Sequence, residues 1–217
     1  MSAPNSTINR LQEAGIIAIL RGKNPSKMFD RGIELAEMGC TAIEVTLDSK
    51  EPLQTLQKLR TELPDSIILG VGTVDNRGQI QACVKAGASF ALSPTFPEGM
   101  VEECQQYGIL AIPGVSDFRE FQVARKAGAE IVKLFPSTEW NLEQLEDVDI
   151  PWIPVGGVNH NSVWTWLDAG AWCIGMGSNL CGSDLNQDGA DNKGWSEIEA
   201  QRTRDIFMEL QRRHTAT

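Results

Sequence analysis

Short apolar runs recur along the chain, and most begin directly after a glycine that closes a mixed polar stretch. Met38-Gly39-Cys40 precedes Ala42-Ile43-Glu44-Val45, Ala86-Gly87-Ala88 precedes Phe90-Ala91-Leu92, and Tyr107-Gly108 precedes Ile109-Leu110-Ala111-Ile112. Ala127-Gly128-Ala129 before Ile131-Val132, and Ala169-Gly170-Ala171 before Trp172-Cys173-Ile174, repeat the arrangement. A glycine in the left-handed conformation ends a helix, so each copy predicts a helix, a stop and a strand. The runs are apolar at nearly every position, as in a parallel sheet covered on both faces. They predict eight strands, near 16–20, 42–46, 67–71, 89–93, 109–112, 130–134, 152–155 and 172–175. Amphipathic stretches separate them, such as 25–38, where Met28, Ile33, Leu35 and Ala36 fall among polar residues.

Eight strand–helix units in 217 residues predict an α/β fold of the (β/α)8 TIM-barrel type at its compact limit. A doubly wound open sheet is the alternative that local pattern leaves standing. No linker or low-complexity stretch interrupts the array, so a single domain over 1–217 is expected. It carries an acidic loop near 182–194 and a C-terminal helix near 195–213. In that loop Asp184, Asn186, Asp188 and Gly189 match the start of a calcium loop. Trp195 stands where the bidentate glutamate belongs, so a solvated acidic loop is expected instead.

The formal net charge is −10, which argues against a nucleic-acid partner and leaves any anionic ligand to local donors. Five scattered cysteines and two histidines, His160 and His214, lack the spacing of a zinc site, and no metal is expected. Reduced thiols fit a cytoplasmic setting. The N-terminus lacks the basic and apolar regions of a signal peptide, and no run is long enough to span a membrane. Trp152, Trp164, Trp166, Trp172 and Trp195 crowd the C-terminal part, suited either to core packing or to a subunit interface.

Barrels of this type gather their chemistry where strands run into the following loops. Lys133 lies inside Glu130-Ile131-Val132-Lys133-Leu134-Phe135-Pro136 and Glu44 inside Ala42-Ile43-Glu44-Val45, charged residues within apolar strands. A buried ammonium loses charge through desolvation, and a neutral lysine is a nucleophile toward carbonyls. A carboxylate in the same pocket can move protons. A structural ion pair, or a lysine that reaches solvent, is the plain alternative. Arg21, at the end of the first strand, offers a planar cationic fork for a carboxylate or phosphate. Val155-Gly156-Gly157 and Gly177-Ser178 follow the seventh and eighth strands, the usual phosphate seat of such barrels.

Seven segments occur in a familiar order: Arg21-Gly22, Glu44-Val45-Thr46-Leu47, Gly72-Thr73-Val74, Ser93-Pro94, Pro113-Gly114, Lys133-Leu134-Phe135-Pro136 and Val155-Gly156-Gly157. Over roughly residues 14 to 180 the chain resembles the class I 2-keto-3-deoxy-6-phosphogluconate (KDPG) aldolases. That family also covers the 6-phosphogalactonate (KDPGal) and 4-hydroxy-2-oxoglutarate enzymes. The resemblance implies a homotrimeric barrel without cofactor, with Lys133 as the Schiff-base lysine and Glu44 as the general acid/base. It further implies that Arg21, Thr73 and Pro94 line the pyruvate half, with Phe135 beside the lysine. Gly156, Gly157, Gly177 and Ser178 match the phosphate end. The implied substrate is a phosphorylated 2-keto-3-deoxy sugar acid, cleaved to pyruvate and glyceraldehyde 3-phosphate. Alternatives on the same imine are KDPGal or 4-hydroxy-2-oxoglutarate cleavage and oxaloacetate decarboxylation. A non-catalytic sugar-phosphate-binding barrel is a further alternative. The chain departs from the KDPG pattern at Asp48, where arginine is typical, and at Val155, where threonine is frequent. The segments 18–22 and 154–158 look closer to the KDPGal branch.

Overall fold

The computed structural model describes residues 3–186 and 195–215. Its strands are β1 (Ile16–Leu20), β2 (Ala42–Thr46), β3 (Ile68–Gly72), β4 (Phe90–Leu92), β5 (Leu110–Ile112), β6 (Gly114–Val115), β7 (Val132–Leu134), β8 (Trp152–Pro154) and β9 (Ile174–Met176). The helices are α1 (Ala3–Ala14), α2 (Pro25–Glu37), α3 (Pro52–Glu62), α4 (Ile80–Lys85), α5 (Met100–Tyr107), α6 (Phe118–Lys126), α7 (Val163–Asp168), α8 (Ser178–Cys181) and α9 (Glu197–Thr215). The glycines that close the five repeated stretches all take positive φ, from 70° at Gly108 to 102° at Gly39, as a left-handed helix stop demands.

All strand pairs are parallel and fall into two ladders. One runs β5-β4-β3-β2-β1-β9 and the other β6-β7-β8. Pro113 explains the break between β5 and β6. Proline has no N–H to give a ladder, and the chain changes neighbours there, from β4 before it to β7 after it. At the other end a single bridge joins Val155 to Gly175. The result is a curled parallel sheet of the TIM-barrel type. The strand predicted at 109–112 is thus two short strands across one proline.

Alternation along each strand separates two cores. Ile16, Ala18 and Leu20 of β1 face the helices with Ile43, Val45, Leu69, Val71, Val132 and Leu134. Ile17 and Ile19 face the other way, into a second cluster with Ala42, Ile68, Phe90, Leu110, Ile131 and Ile153. Glu44 and Lys133 share the parity of that inner set, so alternation turns both into the curl of the sheet. Ile8, Leu11 and Ala14 of α1 also belong to the inner cluster, so this helix covers the end of the sheet opposite the strands' C-termini. Trp172 ties it down by donating its indole N–H to the Ile8 carbonyl at 3.0 Å. The Trp152 and Trp166 rings meet edge to face at 6.2 Å, which accounts for two of the crowded tryptophans as packing.

Of the predicted acidic loop near 182–194, residues 187–194 lie outside the described residues, and with them Asp188 and Gly189 of the calcium match. Asp184 corrects the solvated reading for its own position. It is buried and held by Arg31, because a carboxylate beside a guanidinium keeps its charge compensated out of water. Among the described residues no helix is long and apolar enough to cross a membrane.

Candidate active site

A cleft of about 460 Å³ opens at the C-terminal ends of the strands. Every candidate residue lies on its wall: Arg21, Glu44, Thr73, Pro94, Lys133 and Phe135 on one part, Gly156, Gly157, Gly177 and Ser178 on another. The sequence spread of these residues collapses because they lie within or just past strands that run in parallel and end at this one face.

Glu44 is held in the middle of β2, with Ile19 and Gly70 as its strand neighbours. It is only 2% exposed, and its Oε2 has no hydrogen-bond partner among the described residues. Gly72 makes room for it: a Cβ there would lie 1.5 Å from Glu44 Oε1, far inside contact distance. Burial pushes the Glu44 carboxyl up to about 6, the Lys133 and Arg21 charges pull against that rise, and Asp48 adds to it. Lys133, 6% exposed, pairs along its strand with Gly114 and Ile153. Burial lowers its pKa, the Glu44 charge opposes that shift and Arg21 reinforces it. Its ammonium position lies 4.3 Å from the centre of the Phe135 ring. Among the described residues Lys133 and Glu44 form no direct ion pair.

Arg21 is half exposed and enters a polar set at the rim of the cleft. Its Nη2 donates to Thr73 Oγ1 at 3.0 Å, and its Nε lies 3.3 Å from Asp48 Oδ1. Thr73 takes a φ of 57°, an unusual conformation for a β-branched residue and one that marks sites under functional constraint. Thr46 Oγ1 and Ser49 Oγ lie 2.9 Å apart, and Ser49 Oγ accepts from the Gly22 N–H at 3.1 Å.

Sequence reasoning missed several wall residues. Asn179 Nδ2 donates to the Val158 carbonyl at 3.1 Å and so joins the two glycine turns. Ile19 supplies an apolar floor, and Leu185 and Asn186 join it from the first part of the acidic loop. Asn179 follows Gly177-Ser178 directly, a usable signal. Nothing local in the sequence aims Leu185 or Asn186 at the cleft. All five cysteines are free and buried, and burial pushes the Cys40 thiol up to about 12. Among the described residues no cluster of three or more His, Cys, Asp or Glu is placed to hold a metal.

The arrangement can perform carbonyl chemistry, since a lysine with depressed basicity and a carboxyl with raised pKa face one cavity. Residues 7–200 match the family model described as KDPG and KHG aldolase. The chain is 29% identical over 171 residues to 2-dehydro-3-deoxy-6-phosphogalactonate aldolase of Escherichia coli (strain K12), covering 76% of this chain and 83% of that one. It is 31% identical over 135 residues to 2-dehydro-3-deoxy-phosphogluconate aldolase of Pseudoalteromonas atlantica, covering 59% and 62% of the two chains. A solved structure described as native KDPGal matches with a TM-score of 0.77 and 26% identity, over 93% of this chain and 96% of that one. With the family match running through both the lysine strand and the glycine turns, the chain belongs to the KDPG and KHG aldolase family of lyases.

Proposed function

We propose that the protein is a Schiff-base aldolase that cleaves 2-keto-3-deoxy-6-phosphogluconate to pyruvate and glyceraldehyde 3-phosphate. The observation that carries this reading is that a buried lysine and a buried carboxyl, Lys133 and Glu44, line one cleft. Burial lowers the Lys133 pKa and raises that of Glu44 to about 6. Neutral Lys133 adds to the C2 ketone, and Glu44 hands on the protons as the carbinolamine loses water. The protonated imine then serves as the electron sink. The C3–C4 bond breaks as the C4 hydroxyl gives up its proton, and the pair of electrons passes to the enamine. Protonation and hydrolysis of the enamine release pyruvate and restore Lys133.

In this reading Arg21 and Thr73 take the substrate carboxylate, and Pro94 and Phe135 pack against the pyruvyl carbons, a division supported by their shared place on the cleft wall. Gly156, Gly157, Gly177 and Ser178 offer backbone N–H groups for the distal phosphate. No side chain of these four carries charge, so phosphate recognition there is by hydrogen bonds. The same reading takes the two ladders as one closed (β/α)8 barrel and the chain as a single domain, working as a cytoplasmic homotrimer.

A second reading, the galactonate epimer as substrate, is favoured by one observation. Asp48 engages Arg21 at the cleft rim, where an arginine would strengthen anion binding in the gluconate pattern. Values of kcat/KM for the two C4 epimers and for 4-hydroxy-2-oxoglutarate separate these possibilities. The proposal expects the gluconate epimer to lead and the phosphorylated substrates to exceed 4-hydroxy-2-oxoglutarate by about tenfold or more. A leading galactonate epimer selects the second reading. Equal rates without the phosphate contradict the phosphate seat.

A further inference from the structure

Among the described residues, the densest group of buried polar contacts outside the cleft surrounds Arg31 on α2. Its side chain is 5% exposed and that of Asp184 is 7% exposed. Arg31 Nη2 lies 3.2 Å from each Asp184 carboxylate oxygen, and its Nη1 donates to the Cys181 carbonyl. Its Nε donates to Glu34 at 3.0 Å, and the Trp195 ring lies against its guanidinium at 4.0 Å. Gly182 sits at the centre with φ +82°, and a Cβ there would come within 2.6 Å of Arg31 Nη1. The guanidinium therefore grips one short segment at Cys181 and again at Asp184.

That segment is a wall of the cleft. Directly after Asp184, Leu185 and Asn186 line the same cavity as Ser178. The Leu185 carbonyl accepts from the Lys23 N–H at 3.0 Å, and Gly22 lets it approach, since a Cβ there would be 2.7 Å from the carbonyl oxygen. Arg31 itself does not reach the cavity. Its contacts act through the wall, and the wall brings Asn186 to the cavity that the glycine turns also line.

We propose that Asn186 is a specificity-determining residue for the distal, phosphorylated end of the ligand, and that the Arg31–Asp184 pair is the positioning device that holds it there. A carboxamide can donate to a phosphate oxygen without adding charge, which suits a wall otherwise built from backbone donors. This inference rests on the proposed reading of the cleft for the location of the phosphate, but it does not depend on the lysine chemistry.

The test is calorimetric binding of glycerol 3-phosphate, a non-reactive phosphorylated fragment, to wild type and to Asn186→Ala, Asp184→Asn and Arg31→Met. Trapping of pyruvate on Lys133 by borohydride is scored in parallel. Loss of one hydrogen bond to a charged group corresponds to about a tenfold weaker Kd, and that is expected for Asn186→Ala. Arg31→Met and Asp184→Asn should weaken binding in the same direction and raise KM more than they lower kcat. Arg31→Met leaves a buried carboxylate without its counter-charge and will cost stability, so the exposed Asn186 position carries the decision if that variant does not fold. A Kd unchanged in Asn186→Ala, or no measurable glycerol 3-phosphate binding by wild type, overturns the inference. A purely structural role for Arg31 would lower thermal stability and leave KM alone, which also overturns it. Wild type that binds glycerol 3-phosphate through Asn186 but traps no pyruvate leaves this inference standing and removes the aldolase chemistry instead.

Discussion

Lys133 and Arg31 are both buried cations with a buried carboxylate close by, and they meet the cost of burial in opposite ways. Arg31 is matched on every side: two contacts to Asp184, one to Glu34, one to a carbonyl, and an aromatic face. Lys133 has a phenyl ring at 4.3 Å and a carboxylate that reaches it only through its field. Charge compensated by contact anchors. Burial without a contacting counter-charge lowers the Lys133 pKa, and a lysine in that state is available for bond formation. On the proposed function, the difference is the one between a structural pair and a reactive one.

Replacing each cation by methionine tests this contrast. Lys133→Met should lower turnover by on the order of 10⁴-fold or more, because the covalent step has no substitute. Its thermal midpoint should stay level or rise, since an uncompensated ammonium is exchanged for an apolar chain of similar length. Arg31→Met should instead destabilise the protein by about 3–5 kcal/mol in denaturant unfolding. Equal stability losses in the two variants would show that Lys133 is a structural ion-pair partner and would erase the distinction.

Glu44→Gln comes next, with a loss in kcat of about 10²–10⁴-fold expected for removal of a proton carrier. Its pH signature follows from a folded pKa of about 6 against an ordinary value of 4.5. The folded state holds the proton more tightly. The contribution of Glu44 to stability is therefore fully present below about pH 4.5 and is lost as pH rises through about 6. The loss amounts to about 2 kcal/mol, and unfolding free energies measured between pH 4 and 7 should show it in wild type and not in Glu44→Gln. An acid limb near pH 6 in the rate profile should vanish in the same variant. A limb that persists would assign that titration to another group.

Much of the half around Lys133 and Glu44 was legible in the sequence. A charge inside an apolar strand breaks the local pattern, so Lys133 and Glu44 announced themselves, and the glycine stops located the strands to within a residue or two. Alternation then decided their direction, because both share the parity of Ile17, Ile19 and Ile153 on the inner face. The anchoring half was not legible. Arg31 reads as one more polar residue of an amphipathic helix and Asp184 as one of several acids in a loop. They meet across 153 positions of sequence, a contact that no local period encodes. The helix α1 escaped for a related reason: its apolar face is meaningful only against the end of the sheet it covers. Pro113 was visible, but its consequence, an exchange of strand partners, depends on where the neighbouring strands lie.

The central claim is that Lys133 forms an imine with a 2-oxo acid. Incubation with pyruvate, borohydride reduction and peptide mass mapping test it directly. One stable pyruvyl adduct is expected, carried by the peptide containing Lys133 and absent from Lys133→Met. A folded wild-type protein with no adduct, or with the adduct on another lysine, would contradict it.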